Sequence, residues 1–167
     1  ARCGLPLEVI SGEEEARLAY LGARSGLGQT SGSLVVFDTG GGSSQFTFGH
    51  GTSVDERFSI DVGALRCTER FGLDGPVSAE VLREVLRVIA AELARLDGRP
   101  VPDALAAMGG AVTNMAAVKH QLASYDPEVV QGTSAPPQRA SSTSRSDGSS
   151  NVAVTDGCAV DPVLRTL

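Results

Sequence analysis

The segment Val35-Val-Phe-Asp-Thr-Gly-Gly-Gly-Ser-Ser ends an apolar run on an acidic residue, Asp38, then places Gly40, Gly41, Gly42 and Ser43 in a row. Glycines let a backbone approach a ligand closely with several N–H groups turned one way, which is how proteins hold phosphate oxygens. A carboxylate there would repel phosphate. It makes sense if Asp38 holds a divalent cation, directly or through water, that neutralises the phosphate charge. The stretch is not a Walker A loop, since no Lys follows the glycines, and it does not match G-x-G-x-x-G opening a helix, since the next segment reads as a strand. The alternative is a glycine-rich hairpin turn that Asp38 merely caps, although an ordinary hairpin needs only one or two such residues.

Glu15 is the second candidate. With Ser11 as N-cap, Glu14 completes the S-x-x-E capping box and Glu13 suits the positive end of the helix dipole. Glu15 falls at the N4 position, where a staple to Ile10 prefers an apolar side chain, and shares a stripe with Leu18, Ala19 and Gly22. A carboxylate on an inward face is either paired or chemical, and partial burial would raise it toward a usable general base. Gly109-Gly110-Ala111 is either a second phosphate-facing turn at a helix N-terminus or an ordinary strand-to-helix turn. His50 and His120 have no evident partners and read as surface or packing residues, and Cys67 reads as core.

These residues need elements to position them. Leu7 to Ile10 reads as a short linking strand, followed by a helix from Ser11 that ends before the glycine-rich linker at 22 to 32. Leu34 to Phe37, Gln45 to Phe48 and Ser53 to Ile60 read as three successive strands, and Val62 to Phe71 as a short helix. Ser78 to Leu96 spaces Val81, Leu82, Val85, Leu86, Ile89, Leu93 and Leu96 by threes and fours, an amphipathic helix capped by Ser78. Ala104 to Met108 is a small buried strand and Ala111 to Leu122 a further helix. Three strands followed by alternating helices and strands predict an α/β fold, a mixed sheet with helices on its faces. Ser134 to Asn151 is a Ser, Pro, Arg and Gly tract with no apolar residue larger than Ala, and disorder is expected there. The chain thus divides into 1–32 (strand, helix and glycine-rich linker), 33–132 (the mixed-sheet domain) and a disordered or unrelated tail at 133–167.

Composition bounds the partners. The 167 residues carry 14 Lys and Arg against 20 Asp and Glu, a net charge of -6, which argues against nucleic acid and anionic membrane surfaces. No apolar run approaches the roughly 20 residues of a spanning helix. The 3 Cys form no CxxC pair and, with 2 His, give no zinc-type spacing, so reduced thiols in a cytoplasmic protein are expected.

Four stretches in order, LEVISGEEEARLAYLG at 7–22, VVFDTGGGSSQFTFG at 35–49, FSIDVGALRCTERF at 58–71 and MGGAVTNMAAV at 108–118, resemble the Ppx/GppA family of exopolyphosphatases and guanosine pentaphosphate phosphohydrolases. The resemblance covers about residues 5 to 132 and implies the ribonuclease-H-like fold of the actin-like ATPase superfamily, with an active site between two such domains. This chain would hold the linking helix and much of the second domain, without the first domain and its D-x-G-S-N loop. By resemblance, Glu15 activates the attacking water, Asp38 belongs to the Mg2+ site, and Gly40, Gly41, Gly42 and Ser43, with Gly109 and Gly110 as a second turn, grip terminal phosphates. The family motif D-x-G-G-G-S-x-E ends on an acidic residue where this chain has Gln45. The implied chemistry is Mg2+-dependent hydrolysis of a terminal phosphoanhydride bond in polyphosphate or guanosine pentaphosphate, by a truncated or impaired member; the full-length family admits a homodimer. The rival readings are a non-catalytic phosphate-binding module and a sugar kinase or cell-division ATPase of the same superfamily, the latter disfavoured by VISGEEEAR.

Overall fold

The computed structural model describes residues 8–28, 31–135 and 151–154. Helix α1 (Gly12–Gly26) begins where Ser11 adopts an extended conformation and its hydroxyl accepts from the Glu14 N–H at 3.1 Å. Only this half of the capping box forms, because the Glu14 carboxylate turns forward to Arg17, with N···O distances of 2.8 and 2.9 Å. The helix does not stop before Gly22. Its last turns bury Ala23 and Arg24, and that packing offsets the roughly 1 kcal/mol a mid-helix glycine costs. Residues 8–10 form no strand, and Val9 is 97% exposed; Leu7 lies outside the described residues.

Strands β1 (Ser33–Thr39), β2 (Ser44–His50) and β3 (Ser53–Ile60) form an antiparallel meander. After helices α2 (Ala64–Phe71) and α3 (Ala79–Leu93), strand β4 (Ala104–Met108) returns parallel to β1. Helices α4 (Gly110–Lys119) and α5 (Pro127–Val130) precede two short strands, β5 (Ser134–Ala135) and β6 (Asn151–Val154). The sheet order is β3-β2-β1-β4-β6-β5, with β6 parallel to β4. The expectation of a structureless tail from residue 133 therefore needs correcting at 134–135 and 151–154, where β5 pairs with β6 and β6 with β4; residues 136–150 and 155–167 lie outside the described residues.

Strand alternation divides the core in two. Leu34 and Val36 of β1, with Ala104, Ala106 and Met108 of β4, pack against Tyr20 and Ala23 of α1. Val35 faces the other way, joining Phe46 and Ile60 under Leu93 and Leu96. Burying a side chain such as Leu34 contributes roughly 1.5–3 kcal/mol. Asp103 ties the start of β1 to β4 by accepting from the Ser33 N–H and hydroxyl, each at 2.8 Å. Among the described residues no helix is long and apolar enough to cross a membrane.

Candidate functional site

The carboxyl ends of β1 and β4 are where an open α/β sheet offers a ligand crevice. Asp38 is paired there with Gln45 of β2 and Met108 of β4, and Gln45 with Ser59 of β3. Cross-strand partners project to one face. Asp38, Gln45 and Ser59 thus form a polar row at the end of the face on which Leu34 and Val36 meet α1.

The expected inward stripe of α1 is one residue out of place. Tyr20, fully buried, turns Ala16 and Ala23 to the sheet, leaving Glu15 exposed and Leu18 47% exposed. Glu15 still acts on the site. Burial first, and then the Glu15 charge, raise the Asp38 carboxyl above its ordinary value. A half-buried carboxylate facing a second negative charge is relieved by a cation. Mg2+ takes hard oxygen ligands and commonly binds through one or two carboxylates together with water and substrate phosphates. The described residues hold no group of three or more His, Cys, Asp or Glu able to cage a metal. The residues present fit a cation that Asp38 would hold, the remaining ligands being water and the oxygens of a bound anion.

The glycine turn is anchored from behind. Gly40 N–H donates to the Ser43 carbonyl at 3.0 Å, closing the turn. The Ala64 N–H donates to the Gly40 carbonyl at 3.0 Å and the Arg66 N–H to the Gly41 carbonyl at 2.9 Å. The Gly42 carbonyl accepts from Arg66 Nε–H at 2.6 Å. In a trans peptide, the C=O of one residue and the N–H of the next point in opposite directions. Holding these carbonyls against α2 turns the N–H groups of Gly41, Gly42 and Ser43 away from it. Adjacent N–H groups presented together make an anion-binding concavity. The turn is exposed over Gly40, Gly41 and Gly42 and half-buried at Ser43.

Gly63, the residue before α2, lies directly beneath. A Cβ there would be 2.5 Å from Gly41 O, Gly42 C and Ser43 N. Its φ of -148° suits any residue, so closeness alone demands glycine. Ser44, 1% exposed, donates its hydroxyl to the Val62 carbonyl at 2.6 Å and lies 2.8 Å from the Thr39 hydroxyl, locking the loop before α2 to the turn.

The Gly109-Gly110 pair meets the end of β1, just before the glycine turn. Gly109 has φ +96°, and a Cβ on it would come within 2.5 Å of the Thr39 carbonyl and 2.7 Å of Asp38 Oδ1. Gly110 then opens α4, bringing beside Asp38 a helix N-terminus whose Gly110 and Ala111 N–H groups have no intrahelical acceptor, while the Val112 N–H donates to the Gly109 carbonyl at 3.1 Å. Asp38, the glycine turn and Gly109-Gly110 are thus gathered at one end of the sheet, with Glu15 near enough to influence Asp38.

Other candidates lie elsewhere. His50 pairs with Ser33 at the far end of β1 and contacts Asp55. His120 Nε2 is 3.0 Å from the Thr133 hydroxyl. Cys67 is half-buried, not core, because α2 buries none of its residues completely. A hollow of about 160 Å³ lined by Ser33, Phe48, His50 and Pro100 is also at the far end, away from Asp38. Sequence reasoning missed Gly63, Ser44 and Arg66. The signal for the first was a glycine between a strand and a helix in Asp61-Val-Gly-Ala-Leu-Arg.

The model of the Ppx/GppA phosphatase family matches residues 1–144. Exopolyphosphatase 2 of Mycobacterium tuberculosis is 34% identical over 134 residues, covering 74% of this chain and 39% of that protein. An uncharacterised protein of Streptomyces coelicolor is 39% identical over 95 residues, covering 56% of this chain and 28% of its own. Among solved structures, the Aquifex aeolicus member of the Ppx/GppA family superposes with a TM-score of 0.69 at 33% identity, over 80% of this chain and 42% of that one. The chain spans 28–39% of the length of these curated relatives. The expected fold is borne out: the mixed sheet flanked by helices is the actin-like, ribonuclease-H-like arrangement of these neighbours.

Proposed function

The chain belongs to the Ppx/GppA phosphatase family, and from its site we propose that it serves Mg2+-dependent hydrolysis of the terminal phosphoanhydride bond of inorganic polyphosphate. The observation that carries this reading is the glycine turn beside Asp38, whose carbonyls are tied back to α2 so that successive N–H groups are free for an anion. Mg2+ held by Asp38 would offset the phosphate charge and order its oxygens. The N–H groups of Gly41, Gly42 and Ser43 hold the terminal phosphoryl oxygens, and Gly109-Gly110 presents the α4 N-terminus to the same group. Glu15 accepts a proton from the attacking water as the new P–O bond forms. The bond to the bridging oxygen breaks, the shortened polyphosphate leaves with that oxygen's electron pair, and orthophosphate departs. Guanosine pentaphosphate carries the same terminal bond and is the alternative substrate.

Gln45 supports a second reading, a phosphate-binding module without hydrolysis. It lies opposite Asp38 across the β1–β2 pair, where an acidic side chain would add charge for a metal or accept a proton and an amide does neither. Phosphate release from polyphosphate with Mg2+, measured for the wild type and Gln45→Glu, separates the two. Slow release that Gln45→Glu accelerates supports the hydrolase; binding without release in both supports the module; neither binding nor release refutes the phosphate reading.

A further inference from the structure

We propose that Arg66 is a positioning residue for the phosphate-holding turn, acting through its hydrogen bond to the Gly42 carbonyl rather than through contact with phosphate. The inference rests on the phosphate reading of that turn but concerns a residue outside the glycine motif. Each glycine carbonyl in the turn has its own donor on α2: Ala64 N–H for Gly40, Arg66 N–H for Gly41 and Arg66 Nε for Gly42. The first two are backbone bonds, which any residue but proline at 64 or 66 supplies. The third is a side-chain bond, at 2.6 Å, and it fixes the peptide that joins Gly42 to Ser43. That peptide carries the Ser43 N–H on its opposite edge.

Glycine makes this restraint necessary. Three consecutive glycines have the largest backbone freedom of any such run, and a cradle that must be ordered on binding loses affinity by the cost of ordering it. Arg66 removes part of that freedom beforehand. Its planar guanidinium suits the task, because Nε–H and Nη2 lie along one edge. While Nε holds Gly42, Nη2 is 3.6 Å from Asp61 Oδ1, so the loop before α2 steadies the same side chain. The Arg66 side chain is 51% exposed and Asp61 78% exposed, so that ion pair is weak and the carbonyl bond is the significant contact. Gly63 completes the arrangement by letting the turn settle close enough for Nε to reach.

The test compares Arg66→Ala with Arg66→Gln, whose side-chain amide keeps a neutral donor, using the whole chain. Two readouts are taken: the {1H}–15N heteronuclear NOE of Gly41, Gly42 and Ser43 without ligand, and affinity for tripolyphosphate with Mg2+. Arg66→Ala is expected to lower the NOE at those three amides and weaken binding about tenfold, the scale of one net hydrogen bond, while Arg66→Gln retains most of both. An unchanged NOE in Arg66→Ala overturns the proposal, whether or not tripolyphosphate binds. An NOE retained in Arg66→Gln with affinity lost as fully as in Arg66→Ala also overturns it, by showing that the charge meets phosphate directly. If the wild type binds no tripolyphosphate, the phosphate reading fails, and the NOE still decides whether Arg66 orders the turn.

Discussion

Adding one methyl group at Gly63 isolates the contact that seats the glycine turn. The alanine Cβ would lie 2.5 Å from Gly41 O, Gly42 C and Ser43 N, against ordinary contact at 3.4–4 Å. These are backbone atoms, so no flexible side chain can give way. The turn must retreat from α2 by about 0.9 Å to restore contact distance. That movement lengthens the bond from Ala64 N–H, now 3.0 Å, beyond useful range and stretches the one from Arg66 Nε, now 2.6 Å, to the limit at about 3.5 Å. Backbone conformation is not at issue, since φ at Gly63 is -148°. We expect Gly63→Ala to cost about 1–3 kcal/mol of stability, as overpacking does, and to weaken tripolyphosphate binding on the order of 100-fold, the effect of misplacing a site by about 1 Å. Calorimetric titration and thermal melting measure the two. Gly42→Ala is the control for stability: its Cβ meets nothing within 4 Å, and the melting temperature should hold. If Gly63→Ala binds tripolyphosphate within twofold of the wild type, the turn is not seated as argued.

Three further perturbations probe other parts of the site. Asp38 has its folded-state carboxyl raised, by burial and then by Glu15, so ionising it disfavours the fold and stability is lost as pH rises through the folded-state value. Asp38→Asn should therefore melt higher than the metal-free wild type at about pH 8, with the gain shrinking as pH falls toward the ordinary carboxylate range near 4, and should no longer be stabilised by Mg2+; a melting curve identical to the wild type at both pH values would contradict this. Gln45→Glu should strengthen Mg2+ binding several-fold by adding a carboxylate opposite Asp38, read by titration with Mg2+, whereas weakened binding would place position 45 away from the ion. Ser11→Ala removes the acceptor for Glu14 N–H and should cost about 1 kcal/mol by thermal melting, with phosphate affinity unchanged.

What the sequence revealed follows its periodicity and punctuation. The Ser78 cap and the three-and-four spacing that follows gave the α3 start correctly, with Ser78 Oγ accepting from Val81 N–H at 3.3 Å. Asp38 and its glycines stood out as a candidate because a run of glycine after an acidic residue that ends an apolar strand serves few purposes but close approach; their placement at the end of β1 follows the expected strand–turn–strand order. The facing of α1 was not: Glu15 and Tyr20 both fit a helical stripe, and only the space under Tyr20, where Gly49 leaves its ring room, selects the side that packs. Arg66 and Gly63 were hidden because their role depends on the glycine turn meeting the start of α2, Arg66 being 24 residues from Gly42, and no local pattern encodes that meeting. Likewise the proximity of Gly109 to Asp38 depends on the parallel pairing of β1 with β4.

We propose that the turn at Gly40–Ser43 beside Asp38 is a phosphate cradle completed by a divalent cation. Titration of the 15N-labelled chain with tripolyphosphate, with and without Mg2+, tests it most directly. The amide signals of Gly41, Gly42 and Ser43 should move most, Mg2+ should strengthen the response, and Asp38→Asn should abolish this Mg2+ dependence. Signals that move elsewhere while these three stay fixed, or that ignore Mg2+, would contradict it.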